Sequence, residues 1–148
     1  MKVILGSDHA GYHLKERVKQ YLRRRKIAFE DMGTGSPAPA DYPDFAFRVA
    51  EKVARNPSYR GILICGTGAG MTIAANKVKG IRAVAAYDTY SARMSRSDND
   101  TNVLGLRGRF FPYEKARKII SVWLKTPFSG KVRHRRRLEK IRSYEEKE

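Results

Sequence analysis

The 148 residues carry 31 Lys and Arg against 15 Asp and Glu, a formal charge of +16, with one cysteine and three histidines. That length suits one domain, 1–148, which buries roughly 70% of its unfolded surface and needs no disulfide or metal staple. Cys65 alone excludes an intramolecular disulfide, and with only His9, His13 and His134 beside it a structural zinc cluster is not expected. No apolar run approaches the ~20 residues of a membrane span, and Met1 leads straight into a strand-like segment. The expectation is a soluble, unprocessed cytoplasmic protein. Its positive surplus points to anionic partners: nucleic acid, an acidic membrane surface or phosphorylated small molecules.

Lys2 to Ser7 (KVILGS) reads as a strand, and from His13 to Arg25 the apolar period becomes that of a helix. Leu14, Val18, Tyr21 and Leu22 share one face there, which leaves Arg17, Lys19 and Arg23 to Arg25 as a solvated one. Ile27 to Glu30 suits a second strand, and the prolines and glycines of Met32 to Pro43 predict a loop. Phe45 to Arg55 is a predicted helix stopped by Asn56-Pro57. Gly61 to Cys65 (GILIC) is continuously apolar, as a central strand covered on both faces must be, and Gly66 to Gly70 is a glycine loop. Met71 to Lys79 reads as a helix ending at Gly80, Ile81 to Tyr87 as a strand, and Thr89 to Arg96 as a helix. The polar Ser97 to Asn102 segment reads as a loop forming a lid or wall. After it come a strand at Asn102 to Leu106, a helix at Tyr113 to Leu124 opened by Pro112, and a charged terminal helix at Val132 to Glu146. Alternation of this kind predicts an α/β fold: a three-layer, Rossmann-like sandwich with a five-stranded parallel sheet, helices on both faces and a C-terminal helix.

Ligands of open parallel sheets collect outside the carboxyl ends of the strands, which singles out Asp8, His9, Cys65 to Gly70 and Asp88. Gly66-Thr67-Gly68-Ala69-Gly70 offers bare backbone N–H groups at a helix start, a pocket for negative charge. A dinucleotide site with Asp88 on a ribose is one reading, but the spacing is G-x-G-x-G, no Gly-Lys-Ser/Thr follows, and no residues remain for a substrate domain. A purely structural turn is another reading. Cys65 reads either as a small buried hydrophobe or, at a strand end before this loop, as a nucleophile or base. Asp8 reads as a helix cap or a ligand contact, and His9 with His13 lacks a third metal ligand.

Asp8-His9-Ala10-Gly11, Asp41-Tyr42-Pro43, Cys65-Gly66-Thr67-Gly68-Ala69-Gly70-Met71, Ala74-Ala75-Asn76-Lys77 and Gly80-Ile81-Arg82-Ala83 follow one another in that order. Together they resemble the ribose-5-phosphate isomerase type B family, which also includes galactose-6-phosphate isomerase subunits. The resemblance runs over essentially the whole chain. It implies interconversion of aldose and ketose phosphates without metal or cofactor, in a homodimer or dimer of dimers whose active sites are built from two subunits. It makes Cys65 the base that moves a proton between C1 and C2, with the amides of Gly66, Gly68, Ala69 and Gly70 around the enediolate. It gives Asp8, His9 and Tyr42 contacts to the sugar, Thr67 a ring-opening position and Asn99 an enediolate-side amide. Arg109, Arg133 and Arg137 match a phosphate clamp, and the four-residue spacing of the last two puts both on one helix face.

Two positions depart from the family pattern. Members acting on cyclic pentose phosphates carry His immediately before the Asn, where this chain has Asp98 in Ser97-Asp98-Asn99-Asp100. Gly130-Lys131-Val132-Arg133-His134 is one residue longer than the usual Gly-Gly-Arg-His. The resemblance therefore implies isomerisation of ribose 5-phosphate and ribulose 5-phosphate. Allose 6-phosphate, galactose 6-phosphate or a tetrose 4-phosphate are the alternatives that Asp98 raises, with Arg96 or Arg107 the candidates to offset its charge. The non-enzyme rival is a basic nucleic-acid-binding protein on this scaffold. The chain lacks a ribonucleoprotein-type aromatic motif, so nucleic acid is not the expected partner.

Overall fold

The computed structural model describes residues 1–147. In chain order they form β1 (Lys2–Ser7), a 3-10 turn (His9–Gly11), α1 (Tyr12–Arg24), β2 (Phe29–Asp31), α2 (Tyr42–Ala54), β3 (Tyr59–Cys65) and α3 (Ala69–Ala75). β4 (Ala83–Ala85), α4 (Thr89–Asn99), β5 (Val103–Arg107), α5 (Tyr113–Lys125) and α6 (Val132–Glu145) complete them. The strands lie in the order β2-β1-β3-β5-β4, all pairs parallel. This is the three-layer α/β sandwich that the alternation of elements predicts.

The two-residue period of the central strands decides the layers. Val3, Leu5, Ile62, Ile64, Leu104 and Leu106 turn to one side, where they meet Leu14, Val18 and Leu22 of α1 and Ile119, Ile120 and Trp123 of α5. Ile4, Leu63, Cys65 and Val103 turn to the other side, against Ala46, Val49, Ala50 and Val53 of α2 and Met71, Ala74 and Ala75 of α3. The helix after β1 thus covers one face and the helix after β3 the other, and the crevice between them opens at the carboxyl ends of these two strands.

Several boundaries differ from the sequence expectation, each for a local reason. Pro43 lies in the first turn of α2 and not in the loop, because a missing N–H costs nothing at a helix start. α3 ends at Ala75, well before Lys79, since the Asn76 side chain takes both the N–H and the C=O of Ala83 at 2.8 and 2.9 Å. β2 and β4 hold three residues each and start later than predicted. The largest change is in α4, which runs on through Ser97, Asp98 and Asn99 and stops at Asp100, where φ is +45°. Ser97 to Asn99 are therefore a helical turn, and no lid spans Ser97 to Asn102.

Candidate active site

β3 delivers Cys65 to its carboxyl end, 4% exposed, on the face shared with α2 and α3. The chain then turns sharply at Gly68, whose φ of +82° suits glycine and whose missing Cβ would sit 3.0 Å from the Leu106 backbone. That turn brings the Gly68 N–H within 3.2 Å of Cys65 Sγ. The Ala69 N–H goes to Thr67 Oγ1 at 3.2 Å. The amides of Gly66, Thr67 and Gly70 have no protein acceptor among the described residues. Because α3 is only seven residues long, the pull on an anion comes from these few amides and not from a helix dipole.

The carbonyls of the same loop are all engaged. Cys65 O accepts from Gly108 N at 2.8 Å, Gly66 O from Arg109 N at 3.2 Å, and Thr67 O from the Tyr87 hydroxyl at 2.8 Å. Donors alone are left to face the cleft. The Arg109 guanidinium overhangs Gly66, and the Tyr42 ring lies so close to Gly70 that a Cβ there would come within 2.8 Å of it.

β1 ends beside this loop. Asp8, 6% exposed, uses Oδ1 to accept from Ala10 N and Gly11 N at 3.0 and 3.1 Å, so the capping role is realised. Its Oδ2 has no protein partner among the described residues. His9 Nδ1 lies 3.1 Å from Ala40 N and 3.2 Å from Ala40 O, and this contact ties down the proline-rich loop. Asp88 caps α4 through Ser91, and that backbone N–H holds its carboxyl below the usual range. No cluster of three or more His, Cys, Asp or Glu suited to a metal occurs among the described residues.

Asp8, His9, Tyr42, Cys65, Gly66 to Gly70 and Arg109 thus converge at one edge of the sheet. Asp98, Asn99, Arg133 and Arg137 do not join them. Asn99 ends α4 beside Arg82, which precedes β4, at the amino edge of the strands. The five residues of β5, about 16 Å long, separate that edge from Arg109. There His134 of α6 faces Asp98, while Arg133 and Arg137 are exposed. Arg96 and Arg107 do not offset Asp98. The first binds Asp100 and the carbonyls of Thr101 and Thr126, and the second binds Arg109 O at the far edge. Sequence reasoning missed Tyr87 and the contact of His134 with Asp98. Tyr87 was detectable as a polar side chain just past a strand's carboxyl end, whereas His134 carried no such signal.

A family model described as Ribose/Galactose Isomerase matches residues 3–141. The chain belongs to the ribose/galactose isomerase family. The isomerase is 44% identical over 146 residues to ribose-5-phosphate isomerase B of Escherichia coli strain K12, covering 99% of this chain and 97% of that one. It is 40% identical over 148 residues to D-erythrulose-4-phosphate isomerase 2 of Mycolicibacterium smegmatis, covering 98% and 97%. Ribose-5-phosphate isomerase B from Mycoplasma genitalium, solved with bound ribulose-5-phosphate, superposes with a TM-score of 0.95 at 41% identity over 99% and 97% of the chains. The isomerase is thus a sugar-phosphate enzyme, and no helix among its described residues is long and apolar enough to cross a membrane.

Proposed function

We propose that the isomerase interconverts ribose 5-phosphate and ribulose 5-phosphate through a cis-enediolate, in active sites that two copies of the chain build together. The observation that carries the chemistry is Cys65 Sγ with the Gly68 N–H aimed at it from 3.2 Å, beside the unpaired amides of Gly66, Thr67 and Gly70. A carbon acid needs a base and an anion hole within one ångström-scale space, and this loop supplies both. Cys65 takes the proton from C2 of the aldose and returns it to C1, while the amides hold the oxygen on which charge develops. Asp8 Oδ2, His9 Nε2 and the Tyr42 hydroxyl hold the sugar hydroxyls, and Arg109 meets the phosphate.

Distance supports the second copy. Asp98, Asn99, Arg133 and Arg137 lie at the opposite edge of their own sheet, so in this reading they serve the Cys65 of a partner. A homodimer with two-fold symmetry completes two such sites at once. The relative solved with ribulose-5-phosphate supports the pentose assignment. A tetrose 4-phosphate is the second reading, favoured by Asp98 and by the likeness to a D-erythrulose-4-phosphate isomerase.

Replacing Cys65 with Ala tests the base. The variant is expected to fold and to lose solvent-deuterium incorporation at C2 of ribose 5-phosphate by about a hundred-fold or more. Undiminished incorporation would remove Cys65 from proton transfer.

A further inference from the structure

Asp98 has a partner that the mechanism above does not use. His134 is 6% exposed, and its Nε2 lies 3.7 Å from Asp98 Oδ1 across the packing of α6 on α4. Its Nδ1 lies 2.6 Å from Ser129 Oγ, which also accepts from Lys131 N at 3.3 Å. With one lone pair of Oγ held by that amide, the serine O–H is free to donate to a neutral Nδ1. With Nδ1 accepting from that hydroxyl, Nε2 carries the ring proton and is the group turned to Asp98. Ser97 O accepts from Ser129 N at 3.0 Å, so the serine is fixed to the same helix end as Asp98.

We infer that His134 is a positioning residue for Asp98, and that the carboxylate–imidazole couple opens the furanose ring of ribose 5-phosphate. This rests on the substrate and the two-copy site proposed above. Asp98, 42% exposed at its side chain, is the member that touches substrate. Its carboxylate accepts the proton of the anomeric hydroxyl as C1–O4 breaks and C1=O1 forms, and it then returns the proton to O4. Nothing is consumed. A lone carboxylate accepts well but is a poor donor near neutral pH, and it adds negative charge near the enediolate. The buried His134 ring, its Nε2 3.7 Å from Oδ1, packs at the back of this carboxylate and restricts its rotation, which leaves the other oxygen for O1 and O4. Arg96 and Arg107 do not do this, being committed elsewhere.

The test compares a substrate that must open with one that has no ring. D-erythrulose 4-phosphate carries its phosphate on O4 and cannot form a furanose. In His134→Ala the ratio of kcat for ribose 5-phosphate to kcat for D-erythrulose 4-phosphate should fall about ten-fold or more, with KM for ribose 5-phosphate little changed. In His134→Gln, which keeps an N–H at similar reach and similar volume, part of that ratio should return. Equal losses on both substrates in both variants, an unchanged ratio, or no recovery with Gln would overturn the couple. A wild-type enzyme that turns over the tetrose phosphate and not ribose 5-phosphate would overturn the substrate assignment as well, and is recognised before any variant is made.

Discussion

At position 98 a carboxylate stands where an imidazole would both accept and donate a proton by itself, and the difference is testable in a single background. In Asp98→His the new ring opens the sugar without help, so adding His134→Ala should leave the ratio of pentose to tetrose turnover within about two-fold. The same second substitution in the wild-type background should depress it, a non-additivity that only interacting residues display. Equal effects of His134→Ala in both backgrounds would mean that the two residues act independently. Residue by residue, the carboxyl edge of the site was largely legible in the sequence. A cysteine after a continuous apolar run and before three glycines in five residues leaves little freedom in where it sits. What was not legible is the pairing of Asp98 with His134, two side chains 36 positions apart whose contact depends on how α6 lies on α4.

Among the elements, β1, β3 and α1 could be read closely because their apolar periods are uninterrupted. α4 and α3 were misjudged for opposite reasons. The run Ser97-Asp98-Asn99 has the composition of a loop, yet α4 continues through it, with buried Arg96 tied to Asp100 at 2.8 Å and to the Thr101 carbonyl at 2.5 Å. Val78 and Lys79 look helical, yet Asn76 has already bound the backbone of β4. A second buried charge group fixes α1 to β2: Lys15, 1% exposed, lies 2.5 Å from Asp31, which also takes Lys19 at 2.9 Å and Gly33 N at 2.9 Å. Burial alone would raise the Asp31 carboxyl, but the two ammonium groups and the Gly33 amide outweigh it and hold it below the usual carboxylate range. A carboxyl lowered on folding stabilises the native state above its unfolded value, and this contribution drains away as pH falls through the lower folded value. Asp31→Asn strands Lys15, so unfolding by urea at neutral pH should show a loss of about 3 kcal/mol. Its stability should also fall less steeply than wild type's below pH of about 4. A loss under about 0.5 kcal/mol would mean that Glu16, 3.4 Å from Lys15, suffices as its partner.

For the whole molecule, the separation of Cys65 from Arg137 by the length of the sheet has a quantitative expectation. Mixed dimers of Cys65→Ala and Arg137→Ala chains hold one site with both defects and one with neither. Equal amounts of the two inactive variants, exchanged to equilibrium, should therefore recover about a quarter of wild-type activity. No recovery despite demonstrated exchange would place both residues in one chain's site. The proposed dimer left no periodic trace in the sequence, because each of its half-sites is by itself an ordinary polar surface. The charge of +16 was legible from composition, and the exposed Arg133 and Arg137 account for part of it. The pinning of the Cys65 loop has a bearing on how this protein tolerates mutation. Gly66 O is held by the main-chain amide of residue 109, which every amino acid except proline provides, while the side chain of that same residue reaches over the cleft. Backbone and side chain at one position thus answer to separate demands. The side chain at 109 is free to drift while the loop that carries Cys65 keeps its shape throughout.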